Sequence, residues 1–207
     1  MRRAAKSAQR NRYHHGDLRE ALIDTAVQMI AEHGTQAFSL AEASRRLGVA
    51  ASAPYRHFKD RDELLVAAGV RACQVLVATL GTEIARAETP TERLAAAARG
   101  YLRFAAEQRA AFETIFSTGL DRLGHPELER ALLPVKEAFE SAALALSNDD
   151  PAAAKALGLA VVCTAHGHAA MLHLGAFGPA DEGIELALTF TERAALALIG
   201  GRSALSG

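Results

Sequence analysis

The chain has 207 residues, half of them hydrophobic and 23% charged, a globular composition that excludes a disordered polymer. Formal net charge is −1, but residues 1–60 hold 10 Lys and Arg against 6 Asp and Glu, while residues 61–207 hold 13 against 18. A basic head on an acidic body suits a protein that meets phosphate at one end only, although a basic tail alone gives the same asymmetry.

Along the chain, residues 1–12 read as a basic disordered tail. No apolar run follows them, so no secretory leader is expected. A first helix is expected over 17–33, with Leu18, Leu22, Thr25, Met29 and His33 on one face. Gly34 is a natural stop. Ser39-Leu-Ala-Glu42 has capping-box spacing and opens a helix over 39–47, which Gly48 ends. A short helix over 52–58 follows. Asp60-Arg-Asp-Glu63 starts a long fourth helix over 60–86. Thr89-Pro-Thr-Glu92 puts Pro90 at a first helical position and starts a helix over 90–108. Further helices are expected over 110–117, 126–147, 151–175 (opened by Asp150-Pro151) and 180–200. About nine helices and no strand signal make an all-α fold. Apolar stretches are broken by charge or glycine before about 18 residues, so no membrane span is expected. Cys73 and Cys163 lie far apart and suggest no disulfide framework, which fits a reducing, cytoplasmic setting.

The stretch from Ser39 to Phe58 carries the most chemistry. Leu40, Ala43 and Leu47 face inward, Gly48 turns the chain, and a second short helix begins within a few residues. This is helix-turn-helix spacing, and small Ala43 lets the two helices approach. Ser52 is placed to cap the second helix, with Pro54 in its first turn and Phe58 as the apolar anchor at its end. The N-terminal end of such a helix enters the major groove. Arg56 is placed to read guanine or grip phosphate, and Ala51 and Ala53 to pack on thymine methyls. Tyr55, His57 and Lys59 supply phosphate donors. Ser39 sits at a helix N-terminus suited to the same task, and Arg45 and Arg61 complete the candidate DNA-binding set. Two short helices separated by a glycine also occur without any DNA role.

The run from Tyr55 to Leu65, Y-R-H-F-K-D-R-D-E-L-L, preceded by Leu47-Gly48-Val49, resembles the TetR family of transcriptional regulators. Tyr55, Phe58, Arg61, Glu63 and Leu64 match its pattern, with Arg61 where Lys is commoner. Tyr13-His-His-Gly-Asp-Leu18 is typical of one branch. The resemblance implies a DNA-binding head over 13–76, with its helix-turn-helix at 39–58. It also implies a helical effector-binding and dimerisation body over 77–207. The junction falls in or just after the fourth helix, near Glu83–Thr89. Expected partners are double-stranded operator DNA, a second copy of the chain and a small-molecule effector, with no cofactor and no membrane. Val162-Cys-Thr-Ala-His166-Gly167 resembles the Trp-x-x-x-His-Gly signature of one C-terminal subgroup, with Val162 in place of the Trp.

Three features of the body have two readings each. Tyr101, Phe104, Phe112 and Phe116 are four of only 11 aromatic residues. With His166, His168 and Met171 they wall an effector pocket or simply pack a core. Small residues crowd the last two helices, and Gly158, Gly167, Leu188 and Ala195 are candidate dimer contacts, unless the run merely reflects an Ala-rich sequence. Cys163, His166 and His173 share one helical face. They give the alternative of a metal-binding protein or small helical enzyme, against plain packing; no metal site is assigned. No nucleophile elbow, phosphate loop or HExxH motif is present. The leading expectation is a repressor, not an enzyme, released from a palindromic operator by a small molecule.

Overall fold

The computed structural model describes residues 18–34, 38–116 and 125–205. Within them the chain forms eight α-helices and no strand. These are α1 Leu18–His33, α2 Leu40–Leu47, α3 Arg61–Ile84, α4 Pro90–Glu107, α5 Arg109–Phe116, α6 Pro126–Leu146, α7 Pro151–His173 and α8 Ala180–Gly200. The long fourth helix of the sequence reading is α3, because the segment at 52–58 is not an α-helix. Only Pro54–Arg56 is helical there, as a single 3-10 turn, and a second such turn lies at Arg202–Leu205. The expected tail at 1–12 and the Tyr13–Asp17 motif lie outside the described residues.

Local chemistry sets most helix starts. The Ser39 hydroxyl accepts the Glu42 amide, the Asp60 carboxylate accepts the Glu63 amide, and Asp150 accepts from Ala152 and Ala153. At Thr89 the capping box is complete: the Thr89 hydroxyl accepts the Glu92 amide and the Glu92 carboxylate accepts the Thr89 amide. At Ser39 it is only half formed. The Glu42 carboxylate turns away to Arg45 (2.6 and 2.8 Å) and Arg46 (3.3 Å), since two guanidiniums outcompete one backbone amide.

Two clusters of buried side chains organise the packing. One holds Leu22, Ile23, Ala26, Met29, Ile30, Phe38, Ala43, Phe58, Leu64 and Leu65, and unites α1, α2 and the start of α3. The other begins at Ala72, Cys73, Leu76 and Leu80 of α3 and runs through α4 to α8. The helix α3 therefore belongs to both. Its Arg71 also pairs with Glu20 and with Asp24 (3.2 Å) of α1. α4 lies at the centre of the body, packed by α3, α5, α6, α7 and α8. Ala95, Ala97, Ala98, Gly100 and Ala105 keep its surface small enough for five neighbours. α5 bridges the two parts, lying against α1 and α3.

Two helices, α3 and α7, are long and apolar enough to cross a membrane by length and composition, contrary to the expectation from interrupted apolar runs. Single interruptions such as Arg71 or Gly158 do not bring down the average over a whole helix. In this fold α3 fills the interior of both clusters, and α7 packs on α4, α6 and α8.

Gly48 closes α2 with φ +66°, and its amide donates to Arg45 while the Val49 amide reaches the Ser44 carbonyl (3.0 Å). A β-carbon there meets nothing within 4 Å, so the cost of one is conformational rather than steric. Gly48→Ala should therefore destabilise the protein by about 1–2 kcal/mol, seen as a lower denaturant midpoint at unchanged slope. Unchanged stability would show that the left-handed turn is not required.

Candidate functional site

The head builds one exposed turn on a rigid base. Pro54 and Phe58 are buried, at the start of the turn and just past its end. The Phe58 amide donates to the Pro54 carbonyl (3.0 Å), and the Arg56 and His57 amides close the intervening bonds. The Arg19 guanidinium lies 5.3 Å from the Phe58 ring centre, which fixes the anchor from the α1 side. Tyr55 and Arg56, between the buried points, are exposed, as are Ala51 and Ser52 before them and Lys59 just beyond; Ala53 and His57 are half-buried. Tyr55 keeps 60% of its surface, high for an aromatic ring.

Several predicted residues have different local duties. Ser52 caps nothing: Ala53 stands at the N-cap with no side-chain bond. Pro54 lacks an amide hydrogen and Phe58 must reach the core, so a single tight turn replaces the expected two-turn helix. Arg61 is a brace. Its Nε donates to the Phe38 carbonyl (3.1 Å) and its guanidinium lies 5.9 Å from the Phe38 ring centre. Ser39 caps α2 at the surface. Arg45 is exposed beside Glu42, whose carboxyl is held below the usual carboxylate range chiefly by its hydrogen bond to Arg45. Arg46 reaches back to Glu32 of α1 (2.6 Å), tying the two helices together.

In the body, Tyr101, Phe112, Phe116 and His166 come together. The Tyr101 hydroxyl and His166 Nδ1 are 2.8 Å apart, and Phe112 and Phe116 place ring centres 5.3 and 5.0 Å from His166. Phe104 is fully buried in the core. His168 faces α8 instead, and Met171 is 46% exposed, so neither joins the cluster. Beside it lies a cavity of about 290 Å³, walled by Tyr101, Phe116, Leu132, Val135, Phe139 and Val162. Lys136, Glu140, Lys155, Gly158 and Leu159 complete its lining. The sequence reading missed the α6 wall. Leu132, Val135 and Phe139 recur with helical spacing, but the period alone does not say which helix they face.

The candidate dimer residues divide. Leu188 and Ala195 are buried within the chain, and Gly158 packs under the Phe139 backbone, where a β-carbon would sit 3.6 Å from its carbonyl oxygen. These three serve the protomer's own packing, because small and apolar residues there face α4 and α6 rather than outward. Gly167 is exposed with open space around it. The outward stripe reads Leu159, Cys163, Gly167 and Met171 on α7, with Leu186 and Phe190 on α8. The proposed metal face does not converge. Cys163 points outward, His166 meets Tyr101, and His173 Nε2 donates to the Ala105 carbonyl (2.9 Å). Among the described residues no three His, Cys, Asp or Glu side chains gather as a metal site.

A short helix, a left-handed glycine and an exposed second turn, carried on a three-helix head above a helical body, define a helix-turn-helix regulator. Residues 22–68 match the family model described as bacterial regulatory proteins, tetR family. Residues 94–193 match that of the tetracyclin repressor-like C-terminal domain. The chain belongs to the TetR family. It is 32% identical over 78 residues to the HTH-type transcriptional regulator BetI of Brucella anthropi, a match covering 38% of this chain and 40% of that protein. A protein of unknown function from Rhodococcus sp. RHA1 superposes with TM-score 0.73 at 26% identity, covering 88% of this chain and 97% of that one. The regulator FadR from Bacillus subtilis, solved with stearoyl-CoA, has the same fold: TM-score 0.68, 15% identity, 87% and 96% covered.

His168 gives a pH test of the body. Thr191 donates its hydroxyl proton to the Ala187 carbonyl (2.8 Å), so its oxygen accepts from His168 Nδ1 (2.9 Å). Burial pushes the His168 pKa below its usual value. The unfolded chain then binds a proton that the folded chain resists, so stability falls as pH drops through the unfolded value near 6.5. Thermal melts from about pH 7.5 to about 5.5 should show this loss in the wild type and a flatter profile in His168→Asn. Identical profiles would remove His168 as a source.

Proposed function

We propose that the chain is a transcriptional repressor that binds a near-palindromic operator as a two-fold dimer and is released by a small molecule in the body cavity. The observation that carries this reading is the exposed surface of Ala51, Ser52, Tyr55 and Arg56, anchored by buried Pro54 and Phe58 and fringed by Lys59. Arg56 has the reach for a guanine edge, while Tyr55, His57 and Lys59 supply donors for phosphate, and Ala51, Ser52 and Ala53 are small enough to let the backbone approach. Ser39 and Arg45 lie at opposite ends of α2 on exposed surface and extend the phosphate-facing set. In this reading Pro54 and Arg61 position the turn rather than read DNA. The head is assigned to residues 13–76 and the body to 77–207. A cytoplasmic location follows from the operator target.

The outward apolar stripe of α7 and α8 supports dimerisation through these helices. Phe190 is 50% exposed, Leu159 57% and Leu186 44%, with Gly167 leaving room for close helix approach. Two heads must reach successive major grooves roughly 34 Å apart, hence the near-palindrome. The cavity joins this scheme through α5, which carries Phe112 and Phe116 on the body side and packs on α1 and α3 of the head. A ligand that favours one setting of α5 and α3 changes the spacing of the two exposed turns. A tenfold loss of operator affinity needs about 1.4 kcal/mol of differential binding.

Selection from a random DNA pool tests the reading directly: the pure protein should enrich one near-palindrome. Against that sequence Arg56→Ala should cost about 1–3 kcal/mol and relax a single base position. Unchanged binding by an Arg56→Ala, His57→Ala double variant would overturn the DNA assignment. Phe190→Glu should give folded monomers in size-exclusion chromatography with light scattering, and a retained dimer would move the interface elsewhere.

A further inference from the structure

The wall and the rim of the body cavity differ in character. Tyr101, Val135 and Phe139 are buried, and Phe116, Leu132 and Val162 are half-buried, so the interior is almost wholly apolar. The polar side chains stand at the mouth: exposed Lys136 and Lys155, with half-buried Glu140. Lys136 pairs with Glu140 at 3.6 Å, one turn along α6. Lys155, on α7, has no ion-pair partner among the described residues, so the mouth carries one positive charge in excess.

We infer that this cavity takes a small monocarboxylate with an apolar body, the hydrocarbon against Phe116, Val135 and Phe139 and the carboxylate at Lys155. The inference rests on the effector reading above and gives its ligand a chemical class. A neutral hydrocarbon would use the walls and ignore the lysine. A dianion would bring its second charge against Glu140. At about 290 Å³ the cavity is at the lower edge of the range of about 300–1,000 Å³ usual for small-molecule sites, so a long acyl chain is too large. The carboxylate stays at the rim and keeps part of its hydration, which spares it the cost of full burial.

Octanoate and octanol share an apolar body and differ in charge, so calorimetric titration of the full chain with each separates the two parts of the claim. Octanoate should bind about five- to tenfold more tightly than octanol, as a charge-assisted contact requires. Lys155→Gln, a change at an exposed position that leaves the fold intact, should bring octanoate down to the octanol level and leave octanol unchanged. Val162→Trp, which fills the cavity, should abolish both while thermal melts stay cooperative. Equal affinity for the two probes in the wild type overturns the inference, as does a Lys155→Gln protein that keeps the preference. Binding undiminished in a folded Val162→Trp protein overturns it too. Operator affinity is measured separately with and without octanoate. Octanoate that binds but leaves DNA affinity unchanged sinks the release mechanism and not the ligand class. A selected operator with no octanoate binding sinks the ligand class alone.

Discussion

The structure depends on one helix being shared by two cores. Leu64, Leu65 and Ala68 of α3 complete the head, and Ala72, Cys73, Leu76 and Leu80 open the body without a break. With 24 residues it spans about 36 Å, a rod long enough to carry displacement from one core to the other. Neither end can rotate freely. Asp60 and Glu63 fix its first turn, Arg71 ties its middle to α1, and near its C-terminal end Glu83 holds Arg103 (2.9 Å) and Arg99 (3.8 Å) of α4. Arg99 continues to Glu192 of α8 (3.0 Å), so the far end of the rod is wired into the helix that carries Phe190. Glu83 is nearly buried, which makes this polar cluster more constraining than a surface ion pair.

What the sequence made legible follows the range of the interactions. The caps at Ser39, Asp60, Thr89 and Asp150 act within three residues, and each marks an observed helix start. The central face of α4 was legible too, since Leu94, Ala98, Tyr101, Leu102 and Ala105 repeat with the helical period and are all buried. The turn at 54–56 was overextended to seven residues, because pattern alone does not register that Pro54 and Phe58 must both reach the core. In α8 the limit is different. Leu186 and Leu188, like Phe190 and Ala195, look alike as apolar residues, yet two point outward and two inward. A helix that is apolar on both sides does not announce which face its own chain will cover. The cavity was half legible for the same reason: Tyr101 and Phe116 stood out as aromatics, while Val135, Phe139 and the two lysines acquire meaning only when α6 meets α7.

α5 is short, yet it touches α1, α3 and α4. It follows α4 after a single non-helical residue, Gln108, and turns back over α1 and α3. Its Ala111, Phe112 and Ile115 are buried, and Thr114 keeps its hydroxyl satisfied on the Ala110 carbonyl (2.7 Å). That hydroxyl is therefore not stranded in the contact, and the other buried side chains of α5 are apolar.

The single turn between Pro54 and Phe58 has a bearing on how this head changes over evolutionary time. Both ends are nailed into the core, so the exposed positions 55 and 56 keep their backbone placement whatever side chains they carry. A long recognition helix can slide or roll to present a new set of residues; a turn with two buried nails cannot. Its repertoire widens by exchanging letters at a few sites, each exchange nearly neutral for folding because the side chain never enters the core. In the DNA-reading role proposed above, new sequence preferences are thus reachable in single steps, without a compensating change elsewhere in the chain.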